Sequence, residues 1–96
     1  MDFATHSDLT GRLHGLVILL DSRLTLDQAR SADKLIDASE LGLALEKLAD
    51  WLSEDATAIP DDVRRDFEKI SLQMGNVERV MRPLDLCPAE TDEPDG

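Results

Sequence analysis

The feature of this chain that most constrains its fold is a stripe of leucines in the middle of the sequence. Their spacing of four, three and four residues places them on one face of an α-helix: Leu41, Leu45, Leu48 and Leu52. Ala44 and Trp51 widen the stripe to the breadth of a core-facing helix. An apolar face of this width needs partners inside the same protein, so we expect the rest of the chain to be arranged around this helix.

Composition favours a single all-α domain. The chain has 96 residues, enough for one domain with one modest core. Leucine, alanine, aspartate and glutamate dominate it, and there is no tyrosine, which is typical of helices rather than strands. We therefore predict a small bundle of about four helices over residues 1–86 and a disordered acidic tail over residues 87–96.

The first half of the chain carries signals for two helices before the leucine stripe. The first helix is predicted to begin at Ser7 or Asp8. Thr25 begins the second, because Gln28 lies three residues later, in the position that completes a capping box. Ser39 is the candidate cap of the third, leucine-rich helix. No proline separates the second helix from the third, so whether the two are continuous stays open.

The second half is predicted to form one long helix. Pro60 fits its first helical position, and Pro83 ends it. Apolar residues along it alternate spacings of four and three without losing phase at Gly75: Val63, Phe67, Ile70, Met74, Val77 and Met81. We therefore expect a continuous apolar seam, with a bend at Gly75 at most.

The charge balance limits the classes of partner. The chain has 21 acidic and 10 basic residues, a formal net charge of −11, and residues 85–96 hold five of the acids. Nucleic acid and anionic membrane surfaces are disfavoured, because they require clustered lysine and arginine. A basic protein is the natural complement of such a surface. The competing explanation is that the acidic excess serves solubility alone.

No convergent catalytic or metal-binding groups are predicted. His6 and His14 lie near the N-terminus without a motif serine or cysteine around them, and Cys87 sits beside the predicted tail. Asp61 and Asp62 are explained by their favourable position at the start of a helix. Phosphate-cradling loops and zinc-ligand spacings are absent from the sequence. We therefore expect no enzyme, no cofactor and no metal ion.

The sequence predicts a cytoplasmic protein. Its N-terminus has neither the basic region nor the apolar run of a signal peptide. The longest uninterrupted apolar run covers residues 16–20, far too short to span a bilayer. A single cysteine cannot form an internal disulfide, so nothing points to an oxidising compartment.

Two strips of acidic residues form the candidate partner-binding site. The first acidic strip comprises Asp33, Asp37 and Glu40, and the second comprises Glu46, Asp50, Glu54 and Asp55. Like charges four residues apart on a helix cost stability, and only Lys34 and Lys47 interleave with them. Folding gains nothing from this arrangement, which favours a basic partner. The predicted contacts are Asp33, Asp37, Glu40, Asp50, Glu54 and Asp55.

The segment around the leucine stripe resembles a known family signature. It reads LIDASELGLALE over residues 35–46 and continues with Leu48 and Trp51. This resembles the motif of MafI-type immunity proteins, short helical proteins encoded beside toxins of polymorphic and contact-dependent growth-inhibition systems. The matching residues are Glu40, Gly42, Leu43, Ala44, Leu45 and Glu46. Ser39 and Leu41 depart from the motif, which has glycine and an aromatic residue there.

The resemblance implies a bacterial immunity protein. It would bind and neutralise the effector domain of a cognate toxin, commonly a nuclease, in the cytoplasm. A nuclease active site is basic because it holds phosphates, so the acidic strips are the expected contacts. The motif leucines are expected to build the bundle. Trp51 is assigned to the core by its helical phase, although tryptophan is enriched among interface hot spots.

The alternative function belongs to a different class. It is a small helical adaptor or regulatory subunit that binds a transcription or signalling protein. In this interpretation the chain forms a homodimer through the apolar seam of residues 63–81. A heptad seam can close between two chains as well as within one bundle.

Overall fold

A computed structural model describes residues 3–90, and the regular secondary structure of this part of the chain is helical. The α-helices are α1 (Phe3–Leu19), α2 (Leu26–Asp37), α3 (Leu41–Glu54), α4 (Asp61–Met74) and α5 (Val77–Leu84). A single 3-10 turn, Asp21–Arg23, joins α1 to α2. The predicted all-α bundle is confirmed.

Helix α3 lies at the centre of the bundle and contacts each of the other four α-helices. Its buried residues are those of the predicted stripe with one further alanine: Leu41, Ala44, Leu45, Leu48, Ala49 and Leu52. Full burial of a leucine stabilises a fold by roughly 1.5–3 kcal/mol. Trp51 is half-buried and packs against the edge of this core.

Helix α1 begins at Phe3, so the predicted start at Ser7 or Asp8 is wrong. Both residues lie inside the helix and are exposed. Two contacts within the helix stabilise its first turns. Asp8 pairs with Arg12 at 3.0 Å, and the Thr10 hydroxyl donates to the His6 carbonyl oxygen at 2.8 Å. Three leucines of α1 are buried against the core: Leu9, Leu13 and Leu16.

Helix α2 begins as predicted. The Gln28 amide donates to the Thr25 hydroxyl at 3.1 Å, and the Thr25 amide donates to the Gln28 side chain at 3.0 Å. This reciprocal capping box confirms a prediction made from local sequence alone.

Helices α2 and α3 are separate, which answers the question that the sequence left open. Ser39 has a φ of 62°, and the amide of Glu40 donates to the Leu35 carbonyl at 2.8 Å. This is the hydrogen bond of a Schellman turn, in which a left-handed residue ends a helix. Ser39 therefore ends α2 instead of capping α3, whose cap is Glu40, and the predicted role of Ser39 is wrong.

Gly75 divides the predicted last helix in two. Its φ of 78° is left-handed, and it ends α4 before α5 begins at Val77. Because the break changes the helical phase, α5 buries Val80 and Leu84 and leaves Val77 only half-buried. The continuous helix was predicted wrongly. The seam residues of α4 close inside the bundle: Val63, Phe67 and Ile70.

The loop after α3 pairs with the chain that follows α5. The Ile59 amide donates to the Pro88 carbonyl at 3.0 Å, and the Glu90 amide donates to the Ile59 carbonyl at 2.9 Å. The pairing is an isolated parallel bridge between Ile59 and Ala89. The Arg23 guanidinium adds an ion pair with Glu90. The chain is therefore fixed to the bundle as far as Glu90.

The start of the predicted tail at residue 87 falls inside this packed segment. Cys87 is buried, and burial raises the pKa of its thiol. The Arg64 guanidinium donates to the carbonyls of Leu84 at 2.9 Å and Cys87 at 2.7 Å. The rest of the predicted tail, residues 91–96, lies outside the described residues.

Two glycine substitutions with opposite expected effects on the free energy of unfolding test the left-handed end of α4. Gly75→Ala is expected to lower the free energy of unfolding by about 1 kcal/mol, because a left-handed φ strains an L-residue. Gly11→Ala is expected to raise it by about 0.5–1 kcal/mol, because glycine weakens a helix interior. A Cβ at Gly11 meets no neighbouring atom within 4 Å. Urea unfolding measures both variants, and a stabilising Gly75→Ala would contradict the left-handed end of α4.

Candidate functional site

The first acidic strip lies beside helix α1. The Nδ1 atom of His14 is 3.4 Å from an Asp33 carboxylate oxygen, and its Nε2 atom is 3.7 Å from an Asp37 carboxylate oxygen. The imidazole of His14 therefore lies beside both carboxylates. The Asp37 side chain is 76% exposed, and Glu40 is exposed at the start of α3 without a side-chain cap hydrogen bond. This strip therefore stays open to a partner.

The second acidic strip begins with carboxylates that are already paired inside the molecule. Arg79 of α5 donates from Nη1 and Nη2 to the two oxygens of Asp50, at 3.1 and 2.8 Å. Its Nε atom lies 3.8 Å from Glu46. The hydrogen bond from Arg79 lowers the pKa of Asp50, and burial of the carboxyl opposes this effect. The pair therefore joins α3 to α5.

Glu46 has a second partner on the same side of α3. The Asn76 side-chain amide donates to Glu46 at 3.2 Å. The carbonyl oxygen of that amide is buried and has no hydrogen-bond partner among the residues that the structure describes. Glu46 and Asp50 thus belong to the packing of α3 against the segment that starts α5.

The end of the second strip is different, because Glu54 and Asp55 are exposed at the C-terminus of α3. Neither forms a salt bridge within residues 3–90. The C-terminal end of a helix carries partial negative charge, which disfavours carboxylates. The last turn of α3 contains no basic residue to offset them. These two charges are therefore uncompensated.

The structure does not merge the strips into one continuous acidic surface. The first strip faces α1, while Glu46 and Asp50 face α5. A groove between α2 and α3 separates them, and Lys34, Lys47 and Trp51 line it. Glu40 and Glu54 lie at opposite ends of α3, about 20 Å apart by the rise of a helix. The α2–α3 face therefore has a basic and aromatic centre with acids around it.

Arg79 is the residue that sequence reasoning missed. It lies 29 positions from Asp50, so no local spacing links the two. His14 was noted in the sequence, but its place between Asp33 and Asp37 depends on the packing of α1 against α2. The predicted core position of Trp51 holds in part, since the residue is half-buried, packs against the core and lines the groove.

Comparison of the chain with models of known families, with curated proteins and with solved structures finds no match. Among the described residues, no helix has both the length and the apolar character needed to cross a membrane. In residues 3–90, no group of three or more His, Cys, Asp or Glu side chains is arranged to hold a metal ion.

The ion pair between Asp50 and Arg79 is expected to make the stability of the protein depend on pH. Arg79→Leu is expected to raise the pKa of Asp50 towards its ordinary value of 3.8. Because the folded-state pKa is depressed, the stability from this pair is present above the unfolded-state pKa and is lost as pH falls through the folded-state pKa. The destabilisation by Arg79→Leu is therefore expected to be largest near neutral pH and to shrink in acid.

Carboxyl NMR titration and urea unfolding at neutral and acid pH measure these effects. Arg82→Leu is the matched control, because Arg82 is exposed on the same helix and has no ion pair in the described part of the chain. If the pKa of Asp50 stays depressed in the Arg79→Leu variant, the ion pair with Arg79 is not the cause of the depression.

Proposed function

We propose that this chain is a protein inhibitor that docks its α2–α3 face on a basic domain of a partner. The uncompensated carboxylates of this face support the proposal. Glu54 and Asp55 stand at the end of α3 where the helix dipole opposes them, and Asp37 is largely exposed. Such charges cost folding stability and acquire a favourable role when a cationic surface covers them.

The size of the face fits a single interface. A typical specific interface covers about 800 Å² per partner, a patch roughly 30 Å across. The distance of about 20 Å between the ends of α3 falls inside such a patch. One partner can therefore meet Glu40 and Glu54 together. Asp50 faces α5, where its carboxylate is bonded to Arg79.

The identity proposed for the partner is the effector domain of a toxin, with a nuclease as the preferred class. The support is the resemblance of residues 35–52 to the immunity-protein motif, together with the chemistry of the face. A nuclease collects lysine and arginine to hold phosphates, and an acidic protein surface competes for those groups. In this proposal the chain acts in the cytoplasm and has no catalytic activity of its own.

The adaptor alternative needs a different surface from the one predicted. Val63, Phe67 and Ile70 are buried in the bundle, so this part of the seam of residues 63–81 is not available to a second copy. One observation keeps this alternative: Ile18 and Leu19 of α1 are 74% and 52% exposed. Light scattering tests the adaptor alternative. A homodimer that dissociates in the Ile18→Glu variant would favour the adaptor over the inhibitor.

Charge reversal at the end of α3 tests the inhibitor proposal. The resemblance makes the product of the adjacent reading frame the candidate partner. The double variant Glu54→Lys/Asp55→Lys is expected to weaken binding to that product at least tenfold, by calorimetry at low salt. The same variant is expected to raise the stability of the free protein by about 0.3–1 kcal/mol per residue, because lysine suits a helix C-terminus. Loss of affinity therefore cannot be attributed to unfolding.

The matched control has the same change in net charge on another surface. Glu68 and Asp85 are exposed on α4 and after α5, and the double variant Glu68→Lys/Asp85→Lys is expected to keep most of the affinity. Equal losses in both double variants would mean that overall charge, and not the α2–α3 face, governs binding. Full affinity of the Glu54→Lys/Asp55→Lys variant would rule out the proposed contact.

A further inference from the structure

The groove between α2 and α3 has a cavity volume of about 390 Å³. Ser31, Lys34 and Leu35 line it from α2, and Lys47 and Trp51 line it from α3. Ligand sites usually measure about 300–1,000 Å³, so this groove is at the small end of the range. Its size suits one large side chain better than an extended ligand.

The floor of the groove is apolar and held in place. Leu35 and Trp51 are half-buried and pack against the core. Trp51 is flanked along α3 by Leu48 and Leu52, which are buried. A tryptophan fixed in this way offers a large contact area at little entropic cost, as tryptophan does at the centre of protein interfaces.

The rim of the groove is basic in a protein with twice as many acids as bases. Lys34 and Lys47 are both exposed, and neither forms a salt bridge with another described residue. The charge of Lys47 also acts on the carboxyl of Asp50, three residues further along α3. Ser31 adds an exposed hydroxyl to the rim. These groups complement an anion that lies over an apolar floor.

We propose that this groove binds an aromatic or leucine side chain of a partner protein that has a carboxylate beside it. The apolar side chain packs on Trp51 and Leu35, and the carboxylate bonds to the ammonium groups of Lys34 and Lys47. This preference is opposite in charge to that of the acidic strips around the groove. Recognition on the α2–α3 face thus uses both signs of charge, which fixes the orientation of a partner.

A short peptide tests the groove without knowledge of the partner. The probe is the blocked tripeptide acetyl-Asp-Phe-Glu-amide, and its charge-reversed counterpart is acetyl-Lys-Phe-Lys-amide. Trp51 is the only tryptophan in the chain, so its indole N–H gives a single cross-peak in a proton–nitrogen NMR spectrum. We expect the acidic peptide to shift this peak saturably at millimolar concentration and to shift amides in residues 31–35 and 47–51.

Lysine variants separate the groove from general charge effects. Lys34→Glu/Lys47→Glu is expected to weaken binding of the acidic peptide at least tenfold. The matched control is Arg65→Glu/Lys69→Glu, which makes the same change in net charge, since Arg65 and Lys69 are exposed on α4 and are not part of the groove. This control is expected to change the affinity less than twofold. A far-ultraviolet circular dichroism spectrum confirms that each variant keeps its helices.

Three results would overturn the proposal. One is an indole peak that the acidic peptide does not shift at millimolar concentration. Another is equal binding of the basic peptide. The third is an equal loss of affinity in Arg65→Glu/Lys69→Glu. Each result is independent of the inhibitor proposal, which concerns basic partners and the acidic strips.

Discussion

The burial of one face of α3 is the constraint on which the rest of the structure depends. This helix contacts the other four α-helices, and the leucines of its stripe, Leu41, Leu45, Leu48 and Leu52, are almost completely buried. Once that face points into the core, the directions of the other side chains around α3 are set by the helix geometry. In the packed bundle Glu46 and Asp50 face α5, Lys47 and Trp51 face α2, and Glu54 lies at the exposed end. The stripe that builds the core therefore also places the groups that we assign to binding.

The acidic residues of the face fall into two physical classes. Asp50 and Glu46 are compensated by Arg79 and Asn76, so their charge contributes to the packing of α3 against the end of the chain. Glu54 and Asp55 have no such compensation among the described residues and stand at an unfavourable helix end. A charge that does not stabilise the fold is better evidence of a binding role than a charge that is paired. Solubility does not require a carboxylate at a position where it weakens a helix.

The parts of the fold that depend on local chemistry could be predicted from the sequence. The leucine stripe of α3 follows from its spacing, and the capping box of α2 follows from Thr25 and Gln28 alone. Gly75 shows the limit of periodicity, since the apolar spacing of four and three continues across a left-handed residue that ends a helix. A pattern of side-chain types does not record a change in backbone direction.

The contacts between distant segments could not be predicted in this way. Arg79 meets Asp50, His14 meets Asp33, and Ile59 pairs with Ala89, each across a long separation in sequence. Which helices become neighbours is decided by tertiary packing, and these contacts exist only after the helices have packed. For the same reason we predicted from the sequence that both acidic strips belong to one partner-binding site. In the structure a groove lined by Lys34 and Lys47 lies between them.

The most direct test of the central claim is hydrogen–deuterium exchange of the chain, free and in complex with the product of the adjacent reading frame. This measurement finds the docking face without any substitution. The account predicts slower exchange on complex formation in residues 33–40 and 47–55, with little change around the exposed Ile18 of α1. Protection confined to α1 and α4, with the α2–α3 face unchanged, would contradict it.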